Sequence, residues 1–305
     1  MATLYNSADY IPEFYRRVTQ AVARVTSDYE VILVDDGSPD NSLSIARNLL
    51  KDKHPLKIVA LSRNFGHHKA VMKGLSCAKG EFIFLIDCDL EEPPELFQDL
   101  YKKMRSADKK DPVDIVQAVQ NRRKGPLFEK ISGYLFYKFF NILSDSNVPE
   151  NSMMARLMTR RFVKALLLHE EREFFLSGLC SLTGFKLETL AADKTSKGKT
   201  SYSLSRKILS AINAVTAFSD RPLFFIFYFG IFLSFFSFGG IFYLFLRVIF
   251  FGTRFMVGWF SIVLLISFLG GFGIASIGVV GLYLGRIFIE VKKRPLIVKG
   301  IYSNH

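Results

Sequence analysis

The sequence is poor in cysteine and tryptophan, and its acidic residues are outnumbered by basic ones. Three cysteines, Cys77, Cys88 and Cys180, in 305 residues form no metal-ligand spacing. That excludes a disulfide framework and a zinc site and fits a reducing compartment. There is no G-x-G-x-x-G and no P-loop, so neither a dinucleotide dehydrogenase nor a P-loop NTPase is supported. From Met1 to Asp28 no basic stretch precedes an apolar one. No signal peptide is therefore predicted, and the N-terminus is expected in the cytoplasm. Internal repeats and low-complexity segments are missing as well. A single Trp stands against 31 Phe, and the Phe thicken towards the C-terminus.

What is present divides the chain in two. Half of the residues are apolar, the mean hydropathy is +0.22 and the net charge is +12. The basic residues crowd beside the apolar segments, which favours a membrane surface and phosphates over nucleic acid. No charge interrupts Pro222–Leu246 or Phe255–Gly285, and a spanning helix needs about 20 apolar residues. Two transmembrane helices are predicted, at 222–246 and about 257–282. Arg206, Lys207 and Arg221 precede them, and Arg286, Lys292, Lys293, Arg294 and Lys299 follow. The connecting loop has only Arg247 and Arg254. By the positive-inside rule this makes a hairpin in the cell (inner) membrane with both termini cytoplasmic. Gly270, Gly271, Gly273, Gly278, Gly281 and Gly285 fit close helix packing, within the hairpin or in a homo-oligomer. Leu204, Ile208, Ile212 and Val215 share one face of an amphipathic juxtamembrane helix at 201–221. Residues 286–305 read as a cytoplasmic basic tail.

Residues 1–200 alternate short apolar runs with helical stretches. Strands are predicted at Glu30–Asp35, Leu56–Leu61, Glu81–Ile86 and Asp114–Val119. Helices are predicted from Asp40 or Asn41 to Leu50, near Lys69–Ala78, and after Pro93-Pro94. Such alternation implies an α/β fold with a mostly parallel sheet, whose ligands sit beyond the carboxyl ends of the strands. The polar clusters fall there: Asp35–Ser38, Ser62–Gly66 and Asp87–Asp89. Asp87 and Asp89 leave an apolar strand together, and Glu91 follows two residues on. Alternate carboxylates can share Mg²⁺ or Mn²⁺ with substrate phosphates. Cys88, between them, would point to the opposite face and pack.

Taken together, Tyr5-Asn6, Val34–Ser38, Ser62–His67, Leu85–Glu95, Arg156–Met158, Phe218–Leu223 and Glu290–Pro295 resemble glycosyltransferase family 2. This is the GT-A fold, and the similarity is to its polyprenyl-phosphate glycosyltransferases over nearly the whole chain. The resemblance implies a GT-A domain at 1–200 that moves a hexose from a UDP- or GDP-linked sugar to a polyprenyl phosphate. It also implies site roles. Tyr5, Asn6, Asp36, Ser38 and Arg63 would contact the nucleotide, with Asp36 reading the base. Asp87 and Asp89 would hold the donor diphosphate through the metal, with Glu91, where the family often has Gln, as a third ligand. Arg122, Arg123, Lys130 and Ser132 would receive the lipid phosphate. Arg156 continues a D-x-R-L motif in which Met154 replaces the acidic residue. Lys197, Lys199 and Ser201 would close over the diphosphate. Glu129 stands where a basic residue is frequent. After Met1 only Ala2–Leu4 precede Tyr5, so the first strand is expected to be short or the chain to begin late.

A phosphate acceptor is largely ionised at neutral pH and needs no base, so inverting displacement is expected. His67 and His68 read as loop or structural residues rather than bases. Two rival readings are a processive polysaccharide synthase and a membrane scaffold with a degenerate nucleotide-binding domain. The first lacks its Q-x-x-R-W motif, because the only tryptophan is Trp259. The second is opposed by the retention of both Asp87 and Asp89.

Overall fold

Aliphatic and β-branched side chains make the central strands, Val31–Asp35 and Leu56–Leu61 among them, buried on both faces. The computed structural model describes residues 1–52, 54–108, 111–121, 138, 148–172, 174–194, 216, 219–251 and 258–304. After a three-residue β1 (Ala2–Leu4), the expected strands form as β2 (Val31–Asp35), β3 (Leu56–Leu61), β4 (Phe82–Leu85) and β5 (Ile115–Gln120). Between them lie α1 (Ile11–Ala23), α2 (Ser42–Asn48), α3 (His67–Cys77) and α4 (Leu96–Ser106). In α1, Ile11, Phe14, Tyr15 and Val18 turn one stripe into the core, each such side chain contributing about 1.5–3 kcal/mol by burial. The Asp40 carboxylate accepts from the Ser42 and Ala8 amides at 3.1 Å each, so it ties the start of α2 to the loop after β1.

The chain continues through β6 (Ser152–Thr159), α5 (Arg160–Leu166), α6 (Leu176–Leu182), β7 (Leu187–Ala192), α7 (Arg221–Phe251), α8 (Trp259–Lys292) and β8 (Val298–Ser303). Two four-stranded sheets result, ordered β1-β2-β3-β8 and β4-β6-β5-β7. Met1 joins them. Its ammonium donates to the Phe84 carbonyl at 2.8 Å, and its carbonyl accepts from the Ile86 amide at 3.2 Å. β1 therefore lies beside β4, which sets the β2 loop next to the β4 loop.

The sheet is mixed rather than mostly parallel. β1, β2 and β3 run parallel, as do β5 and β7, but β6 enters antiparallel between β4 and β5, and β8 pairs antiparallel with β3. The segment read as a basic tail is thus partly something else. α8 runs on to Lys292, and 298–303 is an edge strand with Val298, Gly300 and Tyr302 half-buried. Tyr302 also stacks beneath the Arg47 guanidinium, 4.4 Å from its ring centre.

α7 and α8 meet where the Phe229 and Phe272 rings lie 4.8 Å apart. Among the described residues one stretch, Phe268–Lys292, is long and apolar enough to cross a membrane, with a mean hydropathy of 1.8. None of it is buried, and Arg221–Leu233 is a shorter apolar stretch. Among the described residues, a Cβ at any of the six α8 glycines would meet nothing within 4 Å. Most of the juxtamembrane helix expected at 201–221 lies outside the described residues. So do the candidates Arg122, Arg123, Lys130, Ser132, Lys197, Lys199 and Ser201.

Candidate active site

The carboxyl ends of β1, β2, β3 and β4 bring three loops together. The first two are locked by Asp36, whose carboxylate accepts from the Phe65 amide at 2.7 Å and the Gly66 amide at 3.0 Å. Burial pushes the Asp36 pKa up, and these two bonds oppose that. Gly37 has a φ of +62°, and a Cβ there would lie 2.3 Å from the Arg63 carbonyl carbon. Only glycine allows the two loops to approach this closely. Ser38 Oγ donates to the Leu4 carbonyl at 3.3 Å, and its amide donates to Asp35 at 3.4 Å. Asp36 and Ser38 thus fasten the loops in this structure. Tyr5 is 47% exposed beside them, and Asn6 takes a left-handed φ of +52°, a region Asn tolerates. Arg63 stacks on Phe65, with its guanidinium carbon 4.2 Å from the ring centre.

The third loop carries Asp87 and Asp89. Cys88, 2% exposed, turns into the core between them, as expected for alternation past a strand end. Asp89 accepts from the Glu91 amide at 3.0 Å. Leu90, between them, has a φ of +62°, a conformation costing a non-glycine residue about 1–2 kcal/mol. The turn holds this strain while keeping Leu90 against the core. Burial, and then the neighbouring Asp89 charge, push the Asp87 pKa up to about 6. His67 Nε2 faces Asp87 at 3.6 Å, and Thr3 Oγ1 lies 3.0 Å from His67 Nδ1. With Thr3 donating to Nδ1, the ring proton sits on Nε2 and points at the carboxylate. Burial, then the Arg156 charge, hold the His67 pKa down.

Arg156 lies opposite Leu85 in the β4–β6 register, below the carboxylates, and is 2% exposed. It donates to the Met154 and Met153 carbonyls at 3.1 Å and to Ser177 Oγ at 3.4 Å, and reaches Cys180 Sγ at 3.5 Å. Among the described residues no carboxylate pairs with it. Its charge, after that of Lys194, pulls the Asp87 pKa down against burial. The Met154 side chain, in place of an acidic one, offers Arg156 a sulfur at 3.8 Å and no charge. Glu92 is buried instead and accepts from the Met154 and Ala155 amides at 3.0 and 2.6 Å. That pair of bonds fixes the start of β6 under the Asp87 loop.

Glu91 does not join the other two carboxylates. It accepts a charge-assisted bond from Lys194 at 2.8 Å. Burial would lower the Lys194 pKa, but Glu91, Glu92 and Asp89 raise it. Among the described residues no three His, Cys, Asp or Glu side chains assemble as a metal cage. The donor set that fits a cation is the pair Asp87 and Asp89. Both are oxygen ligands, and their mutual repulsion is relieved by positive charge, as for an ion completed by substrate phosphates. Thr3, Glu92 and Lys194 escape a reading of the sequence. His67 had one signal, its place at the end of the Ser62–His67 motif.

The sequence profile described as glycosyl transferase family 2 matches residues 2–167, more than half of the chain. The chain belongs to this family. It is therefore a glycosyltransferase, and its mixed α/β domain is of the GT-A type. A protein of Mycobacterium tuberculosis (strain CDC 1551 / Oshkosh) that bears a glycosyltransferase name is 41% identical over 305 residues, which covers 100% of this chain and 88% of that one. The bactoprenol glucosyl transferase of Shigella phage SfII is 33% identical, over 96% of this chain and 94% of its own. Among solved structures, the mannosyltransferase PcManGT from Pyrobaculum calidifontis, in complex with GDP-Man and Mn²⁺, is similar at a TM-score of 0.50 and 18% identity. That likeness covers 71% of this chain and 61% of that one and bears on the fold alone.

Proposed function

We propose that this glycosyltransferase moves a hexose from a UDP- or GDP-linked donor to a polyprenyl phosphate, with inversion at the sugar C1. In this reading it is a lipid-linked sugar synthase held in the cell membrane by α7 and α8. The observation that carries the chemistry is the pair Asp87 and Asp89 at the end of β4, with the unneutralised Arg156 beneath them. The lipid acceptor is supported by near full-length likeness to a bactoprenol glucosyl transferase and by the apolar α8.

Asp87 and Asp89 would hold Mg²⁺ or Mn²⁺, which when bound supplies charge neutralisation to a departing diphosphate. His67 orients Asp87, and Thr3 fixes the His67 ring. The Lys194 and then the Arg156 charge oppose the burial that raises the Asp87 pKa. Tyr5 and Asn6 take the nucleotide at the loop pinned by Asp36 and Ser38. Arg122, Arg123, Lys130 and Ser132 position the acceptor phosphate, and Lys197, Lys199 and Ser201 cover the donor. In the step itself, an oxygen of the acceptor phosphate forms a bond to C1 as the C1–oxygen bond to the diphosphate breaks. The acceptor brings its own negative charge, so no proton has to move. His67, committed to Asp87, is not needed as a base.

The active site faces the cytoplasm in this reading, and both α7 and α8 cross the bilayer. A screen of UDP- and GDP-linked hexoses with purified chain and undecaprenyl phosphate tests it. Radiolabel from one donor is expected to enter the organic phase. Label that stays in water with every donor, while the protein hydrolyses or binds them, would overturn the lipid acceptor.

A further inference from the structure

Apart from the carboxylate site, α3, the loop after α5 and the end of α8 enclose a cavity of about 590 Å³. Six Lys or Arg side chains line it, against Glu170 and Glu171. Lys73, Arg172 and Arg294 form no ion pair with any described carboxylate. Lys292 lies over the Phe288 ring at 3.9 Å, as Arg63 lies over Phe65. Glu171 already faces His169 at 3.7 Å. The wall therefore carries positive charge that the described residues leave unneutralised, beside the apolar surfaces of Phe288, Ile289 and Leu296.

The cavity bridges two parts of the molecule. Lys73 comes from α3 and Arg172 from the loop after α5, whereas Lys292 ends α8 and Arg294 lies two residues beyond it. The Arg172 amide donates to Glu290 at 2.6 Å and fixes the seam between them. α8 holds the stretch, Phe268–Lys292, that is apolar enough among the described residues to cross a bilayer, and Lys292 ends it with Arg294 two residues on. Long basic side chains at such an end reach the headgroup level. A phosphodiester there meets cations from both parts at once, while the glycerol and first methylenes of its chains lie on Phe288 and Leu296. The space far exceeds the roughly 30 Å³ of a water molecule.

We propose that this cavity binds the phosphate of an anionic phospholipid headgroup and thereby clamps the catalytic domain to the membrane. The proposal rests on the reading of α8 as a membrane anchor. The probe is short-chain phosphatidylglycerol, with phosphatidylcholine as the neutral arm and glycerol phosphate as the free-phosphate arm. Native mass spectrometry of the full chain in neutral detergent reads the binding. Phosphatidylglycerol is expected to be retained in preference to both. Combining Lys73→Gln, Arg172→Gln and Arg294→Gln should weaken it on the order of 100-fold, since each basic residue near an anionic lipid contributes several-fold. The control triple Lys51→Gln, Lys102→Gln and Lys164→Gln removes the same charge from exposed positions elsewhere and should bind as the parent does. Arg294→Gln alone, exposed and outside the core, should weaken binding without moving the melting temperature. Equal loss in the two triples, or no loss in Arg294→Gln, would overturn the site. Glycerol phosphate binding as tightly as the lipid would overturn the lipid assignment. Flotation with neutral vesicles is the separate arm. A chain that fails to float refutes the anchor and this proposal with it, whereas one that floats but shows no phosphatidylglycerol preference refutes the cavity alone.

Discussion

Replacing Asp87 by Asn should stabilise the metal-free protein while abolishing transfer. The Asp87 carboxyl is raised from 3.8 to about 6 by burial and by Asp89. A folded-state pKa above the unfolded one means that the folded chain binds the extra proton between the two values. Stability is then fully present below about pH 3.8 and is lost as the pH rises through about 6. At full weight the shift corresponds to about 3 kcal/mol at neutral pH. The side chain is 34% exposed, and screening brings this to about 1–2 kcal/mol. Asn has the same shape and no charge, so Asp87→Asn should gain about that much. The melting temperature should then rise by about 3–6 °C in a protein of this size. The assay is a thermal melt in detergent with EDTA at pH 7.5, repeated at pH 5. The gain should shrink by roughly half at pH 5, where the folded carboxyl is already protonated. Adding Mn²⁺ with a nucleoside diphosphate should raise the melting temperature of the parent and not of the variant. An Asp87→Asn protein that melts at or below the parent in EDTA at pH 7.5 would show that the buried Asp87 charge does not destabilise the fold.

Three further outcomes follow from the geometry. Glu92→Ala leaves the Met154 and Ala155 amides without their acceptor, a loss of about 2–4 kcal/mol by urea unfolding, and β6 and Arg156 should loosen together. Gly37→Ala forces a Cβ against the Arg63 backbone at positive φ and should cost about 2 kcal/mol or more; donor KM should rise with it in steady-state kinetics. Glu91→Gln removes only the partly exposed pair with Lys194, worth up to about 1 kcal/mol, so turnover should stay within about fivefold and metal affinity should not change in a Mn²⁺ titration. A tenfold weaker metal affinity would make Glu91 a ligand.

The strands that position the site were legible because they are short apolar runs ending in polar clusters, as at Val31–Asp35 and Phe82–Leu85. β6 was not, because Ser152–Thr159 holds two Met, Ala, Leu and Arg before its last Met and lacks a β-branched residue until Thr159. It became a strand only because β4 and β5 flank it, which is a tertiary choice rather than a local preference. β8 was hidden by the basic residues around it, although Val298, Gly300 and Tyr302 alternate with outward positions. In the site, the carboxylate pair and the acidic loop could be read from spacing. The contacts from Asp36 to Phe65 and Gly66, from Glu92 to Met154 and Ala155, and from Lys194 to Glu91 join residues far apart in the chain. No local pattern announces them. Arg156 was visible as a motif member, but its burial beneath Asp87 follows from the β4–β6 register alone.

The most direct test of sugar transfer without a base compares undecaprenyl phosphate with undecaprenol as acceptor, for the parent chain and Asp89→Asn, with Mn²⁺ or EDTA. Label is expected in the lipid phase only with the phosphorylated acceptor, the parent chain and the cation. Transfer to undecaprenol, or unchanged turnover in Asp89→Asn, would contradict this expectation.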